Sequence, residues 1–356
     1  MTTTFTRDPA PPEALMRARI RDDLPAEVFR ARPHRYLNFI LLQGIFWGSV
    51  LTATIGRPAW PVSLLLGLVA GMAQVSQAFL AHEALHGALG GPRWLRLFVG
   101  WLGFGPELIP PSFWIRWHNV AHHGNTNMGD RDPDNFGTLR RYEKNPAMAR
   151  FVALSPGSGT WYSYLFFLYS FTFHAQVVLL LQAKHRKEFA GQPRGRWIAQ
   201  AVLCVVPWAG LAVAGGWWAV FTVLVPFMTA NFIGQSYILT NHFLRGMAET
   251  NDPIANSMSV RSWRITDLLF FNFSHHVEHH LFPRMPSTGA PTVRAWLERN
   301  EAESYVCPGH WRAVAMLYRT PRVYRDAKTL CDPDGGRVTP LASVEHDLVA
   351  AKSAAS

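Results

Sequence analysis

Histidine is concentrated at three places in this chain. "HEALH" holds His82 and His86, "HNVAHH" holds His118, His122 and His123, and "HHVEHH" holds His275, His276, His279 and His280. Neutral imidazole is a common ligand for iron, copper, nickel and zinc. On a helix, i, i+3 and i, i+4 spacings turn two such side chains toward one ion. A single pair means little among 15 histidines in 356 residues, but two larger clusters beside it are too many for coincidence. That much imidazole also exceeds what one tetrahedral zinc can use, so the pattern implies two metal ions, or one ion with histidines to spare. Cys204, Cys307 and Cys331 lie at no metal-like spacing, which leaves nitrogen and oxygen as the ligand atoms.

The elements that must position these residues are apolar. Hydrophobic residues make up 49% of the chain and charged ones 16%, against about 25% charged in ordinary soluble proteins. Runs at 37–56 and 62–81, joined by "RPAWP", and at 197–214 and 216–234, joined by "AGGWW", are each long enough to cross a bilayer or nearly so. They predict two transmembrane hairpins. A fifth run, 161–183, would carry the basic segment "KHRKEFAGQPRGRW" to the outer side if it crossed. It is therefore expected to be a helix lying on the membrane, with a true span as the alternative, its aromatic residues serving lipid contact or core more than a substrate tunnel. With four crossings, every histidine cluster falls on one face.

The formal charge of +10 favours anionic headgroups or an acidic protein partner. Basic residues sit between the apolar spans instead of lining one polar domain, so no nucleic-acid partner is expected. The arginine-rich N-terminus lacks the short apolar core and small-residue cleavage site of a signal peptide. Three regions follow: a cytosolic N-terminal arm at 1–36, a membrane domain at 37–290 carrying the clusters, and a cytosolic tail at 291–356. The tail reads as amphipathic helices, and its last dozen residues, "EHDLVAAKSAAS", as disordered.

"HEALH", "HNVAHH" and "HVEHHLFP", in this order and divided by the two hairpins, resemble the three histidine boxes of the integral-membrane fatty acid desaturase and hydroxylase superfamily. The resemblance covers roughly 37–290 and extends to "GNTNMGDRDPDNF" after the second box. It implies an all-α fold, a four-helix membrane anchor under a helical cytosolic cap, with two non-haem irons at the cytoplasmic face. The implied ligands are His82, His86, His118, His122, His123, His276, His279 and His280. Family members carry one more histidine at the cytosolic end of the last span, and here the match is His242 in "YILTNHFL". Glu83, Asp132, Asp134 and Glu278 would support the ligands from behind. His275 reads as a group supporting the ligands from behind or as a spacer, and His34, His174, His185, His310 and His346 as incidental.

The activity so implied is O2-dependent desaturation of a lipid acyl chain. "HVEHHLFP" with a leading histidine favours an ordinary acyl-chain desaturase, and no H-P-G-G haem signature is present. Electrons should then come from a separate ferredoxin- or cytochrome-type carrier with its reductase. A hydroxylase of the same superfamily would use the same site. From another class, "HEALH" satisfies the zinc-protease pattern H-E-x-x-H with Glu83 as general base, but that reading leaves the other two clusters unexplained. A metal carrier would line a path within the spans, whereas these histidines gather just outside them.

Overall fold

The apolar runs become long helices in the computed structural model, which describes residues 12–349. Helix Leu37–Gly56 stops at Arg57, whose backbone is left-handed at φ 44°, and Pro58 bars its continuation. Helix Trp60–Leu85 begins at once, with Pro61 in its first turn, where no N–H partner is lost. Among the described residues, four helical segments are long and apolar enough to cross a membrane: Ala26–Gly56, Trp60–Leu85, Arg194–Trp218 and Val220–His242. Their outward faces are greasy. Ile40, Leu41, Ile55 and Val206 are exposed, and Val213 is 86% exposed, a surface that hydrocarbon covers and water does not favour.

Small residues let these helices approach one another. A Cβ added to Gly71 would lie 2.5 Å from Thr229 Cβ and 2.7 Å from the Pro226 carbonyl oxygen. Close backbone approach of this kind replaces hydrophobic driving force as the source of packing where the surroundings are themselves apolar. Segment 161–183 is not one helix. A 3-10 stretch, Trp161–Leu168, and the helical run Ser170–Gln182 meet at 81°. Phe167 is buried in the core, while Trp161 and Tyr164 face outward.

The chain is predominantly helical, but the expectation of an all-α protein is corrected in the tail. Strands Val323–Asp326, Thr329–Cys331 and Val338–Pro340 form an antiparallel sheet between helices His310–Arg319 and Leu341–Val349. Val323 and Tyr324 suit a strand, and "DPDGG" supplies the turn before the third one. Tyr324 is fully buried, its hydroxyl donating to the Arg245 carbonyl at 2.5 Å, so the sheet is pinned to the segment that follows His242. Helix Leu341–Val349 takes in the first residues of the stretch expected to be disordered, because Val344 and Leu348 are buried in the same core. Residues 350–356 of that stretch, and 1–11 of the N-terminal arm, lie outside the described residues.

Gly71→Ala should lower the melting temperature of the detergent-solubilised protein, at a cost of about 1–3 kcal/mol from overpacking. Gly44→Ala, where an added Cβ meets nothing within 4 Å, should leave it unchanged or raise it.

Candidate metal centre

Two short helical pieces and two span ends carry the histidines together. His82 sits in the last turn of helix Trp60–Leu85, and His86 caps it. Ile115–His122 is a π-helix, and its i→i+5 bonding, with His123 N donating to His118 O at 3.0 Å, sets His118 and His123 one turn apart. Their Nε2 atoms consequently lie 3.2 Å from each other, a pairing that α-helical spacing does not predict. Helix His276–Leu281 presents His276 and His280 on one face, with Nε2 atoms 3.0 Å apart. His242 is the final residue of helix Val225–His242.

The nine rings resolve into two groups. His82, His86, His118, His123 and His279 have ligand atoms all within 4.8 Å of one another, and so do His122, His242 and His280. His276 joins the second group through Nε2 contacts of 2.6 Å to His242 and 3.0 Å to His280. In the first group, His82 and His118 approach at 3.0 Å and His123 and His279 at 3.1 Å, again between Nε2 atoms. His118, His122 and Asp134 form a further possible set between the two. His275 bonds Ser274 and belongs to none of these groups.

This arrangement fits metal ions better than it fits a hydrogen-bonded cluster. A neutral imidazole offers one N–H and one lone pair. His118 Nε2 faces both His82 and His123, and His276 Nε2 faces both His242 and His280, so one proton cannot satisfy either set. His86 Nε2 and His242 Nδ1 are buried without a partner among the described residues. A cation at each centre would accept the converging lone pairs.

Burial also keeps these rings neutral. It lowers the pKa of His118, His123, His276 and His280, with neighbouring imidazoles adding to the effect, and holds His279 down to about 3. His122 differs. Burial works against its charge too, but Asp132 and Asp134 outweigh burial and hold its pKa up to about 9. His122 Nδ1 donates to Asp132 Oδ1 at 2.9 Å and lies 3.2 Å from Asp134 Oδ2, which orients the ring and aims Nε2 inward.

The four carboxylates expected behind the ligands divide. Asp132 and Asp134 touch an imidazole, whereas Glu83 and Glu278 bond none among the described residues. Glu83 is buried against Arg35 and accepts from the Ser287 backbone N–H at 2.9 Å, tying the first cluster to the N-terminal arm and to the turn after the third. Its carboxylate is therefore engaged away from the rings, which removes the general base that a protease reading needs. Glu278 accepts from Ser259 Oγ and Tyr305 OH at 2.5 Å each, and Ser259 Oγ in turn accepts from the backbone N–H groups of His276 and Val277. It fixes the start of the third-cluster helix.

His174, read from the sequence as incidental, donates from Nε2 to Asp134 Oδ1 at 2.9 Å, and Trp117 Nε1 donates to the same oxygen at 2.7 Å. Only the fold brings residue 174 to residue 134. Aromatic rings close the first group: Trp114 stacks on His118 with ring centres 4.5 Å apart, and Phe273 stacks on Phe79 at 3.9 Å beside His82.

A cavity of about 840 Å³ runs past His82, His118, His122, His242 and His276. Of its lining, Lys184 is exposed and Arg141 and Arg186 half-buried, whereas Val75, Phe104 and Ala230 are buried, so a basic outer part leads to a mostly apolar inner one. Phe166, Phe171 and Phe173 line it as well, so aromatic residues assigned to lipid contact or core form a wall of the space beside the histidines.

A helical protein with several bilayer-length apolar helices, and a histidine-rich centre able to hold metal at their ends, is the class that fold and site define. The family model for fatty acid desaturases matches residues 58–312, and the chain belongs to that family. It is accordingly an enzyme of the fatty acid desaturase kind. Similar proteins include an acyl-lipid (8-3)-desaturase of Thraustochytrium sp, 26% identical, with 82% of this chain and 70% of that protein covered. An acyl-lipid (7-3)-desaturase of Rebecca salina is 25% identical over 67% of this chain and 59% of its own length. A chloroplastic omega-6 fatty acid desaturase of Glycine max is 22% identical, with 86% and 73% covered.

His86→Ala and His242→Ala should each lower bound metal by about one ion per chain, by elemental mass spectrometry, while His275→Ala leaves it unchanged. In the metal-free protein the depressed imidazoles stay uncharged where those of the unfolded chain, with pKa about 6.5, take up protons. Their contribution is fully present above about pH 6.5 and is lost as pH falls toward the lowered values. His122, with its raised pKa, acts in the opposite sense as one group against several. The melting temperature after chelation should fall between roughly pH 7 and 5, and a rise over that range would contradict the assignment.

Proposed function

We propose that the protein desaturates a lipid acyl chain in an O2-dependent reaction, at two non-haem irons held by His82, His86, His118, His123 and His279 on one side and His122, His242, His276 and His280 on the other. The observation that carries this reading is one cavity that joins a cationic mouth, five of the nine histidines and an apolar inner end. Two irons bound there would supply the oxidising power that removes one hydrogen from each of two adjacent chain carbons. The net change is CH2–CH2 to CH=CH, with O2, two electrons and two protons ending as two waters.

The chain's own residues have separate tasks. Arg141, Lys184 and Arg186 offer charge to an acidic headgroup at the mouth. Val75, Ala78 and Ile238 confine the hydrocarbon on either side of His82 and His242, so that chosen carbons stand beside the centre. Phe79, Phe273 and Trp114 keep water from the ring edges. Asp132 and Asp134 hold His122 in one tautomer.

The four apolar segments form two membrane hairpins, with the histidines at the cytoplasmic face. A second recess reaches His123 and His280 from the other side, bounded by Arg17, Arg21 and Arg284. Its charge suits an acidic ferredoxin- or cytochrome-type donor, itself reduced by a separate reductase.

Lipid profiling with double-bond localisation, in a host expressing the protein with a compatible reductant, should reveal a species lighter by two hydrogens. It should be absent with His279→Ala. A species heavier by one oxygen would make the enzyme a hydroxylase, and the absence of both products would sink the acyl-substrate reading.

A further inference from the structure

Glu107 has no place in the chemistry above, yet it is buried to 1% exposure and lines the inner part of the cavity. It ends the 3-10 turn Gly105–Glu107, and three neutral donors reach it: Gln74 Nε2 and Thr172 Oγ1 at 2.5 Å, and Asn231 Nδ2 at 2.9 Å. Gln74 stands eight residues before His82 on one helix and Asn231 eleven before His242 on another. At 1.5 Å per residue, these two partners lie about 12 and 16 Å along their helices from the histidines. A carboxyl group at such depth, in a cavity otherwise suited to hydrocarbon, is costly to bury and marks function more often than packing.

Glu107 does serve as a staple between helices Trp60–Leu85, Ser170–Val177 and Val225–His242. That role alone does not account for its surroundings. A carboxylate has about four acceptor positions, and the protein fills three. Ser170, fully buried and on the cavity wall two residues before Thr172, has a hydroxyl with no partner among the described residues. Gln235, one turn from Asn231 toward His242, adds an amide to the same wall. Glu107, with one acceptor position unspent, and Ser170, with its hydroxyl unspent, both line a space that a plain alkyl chain would fill with methylene groups, giving neither a partner.

We propose that the inner end of the cavity is a polar subsite for an acyl chain bearing a hydroxyl near its far end. The substrate hydroxyl donates to Glu107 and Ser170 donates to it. The assignment rests on the reading that this cavity holds the acyl chain. It adds that the chain is oxygenated beyond the carbons that react.

The test is equilibrium binding to the purified full-length protein in lipid nanodiscs. The probes are a series of saturated fatty acids and their ω-hydroxy counterparts of equal length, so that mouth contributions cancel in the ratio. At the length that reaches Glu107, the hydroxy acid should bind tighter by about tenfold or more. The ratio should fall toward one in Ser170→Ala and in Glu107→Gln, the former keeping the staple intact should the latter fail to fold. Equal affinities at every length, or a preference that survives both substitutions, would overturn the subsite and leave the acyl reading standing. No binding of either series would overturn both.

Discussion

Nine imidazoles brought together with their lone pairs converging is an arrangement that protein atoms alone do not stabilise. His118 Nε2 faces both His82 and His123, and His276 Nε2 faces both His242 and His280, so hydrogen bonds among the rings leave at least one contact of each set unsatisfied in a buried space. The rest of the molecule holds the rings there against that tendency. Asp132 fixes His122, Ser259 and Glu278 fix the start of His276–Leu281, and Arg35, Glu83 and Ser287 tie the end of the second long helix to the turn beyond the third cluster. Metal binding and folding are linked in such a case, because the ion relieves what the fold imposes.

The supports reach well beyond the clusters in sequence. Tyr305 and Arg294, in the tail, both contact Glu278. Tyr324 bonds the Arg245 carbonyl, and Asn127 beside the second cluster bonds the carbonyls of both Arg245 and Gly246. The tail is thus part of the frame that positions the centre. The sheet within it has a structural task, fixing the chain that leaves His242.

The same long helices build the surroundings of the chain to be oxidised. Their outer faces are apolar and exposed, while their inner faces alternate small residues at close approach with a cavity wall. The bent segment 161–183 closes that wall. Its 81° break turns aromatic residues inward that a straight span or a flat surface helix would have shown to lipid. Polar groups inside the cavity, Glu107 above all, depart from the apolar pattern and carry the selectivity inferred for it.

Local chemistry made the histidine clusters, the four apolar runs and their breaks readable from sequence, since residue type, spacing and hydropathy are properties of contiguous chain. His242 is legible only through resemblance, as a lone histidine carries no spacing signal. Residues 345–349 read as disordered because they stand at the chain's end, whereas Val344 and Leu348 find a core only in three dimensions. The π-helical turn that pairs His118 with His123 has no mark in "HNVAHH", and the partners of Glu83 and Glu278 lie on segments that folding alone brings near. Sequence by itself determined which atoms can bind metal and which stretches prefer lipid. Tertiary structure decided how the nine rings divide into two groups, that His174 meets Asp134, and that Glu107 faces the cavity. Those are distances between remote segments, and no local preference encodes them.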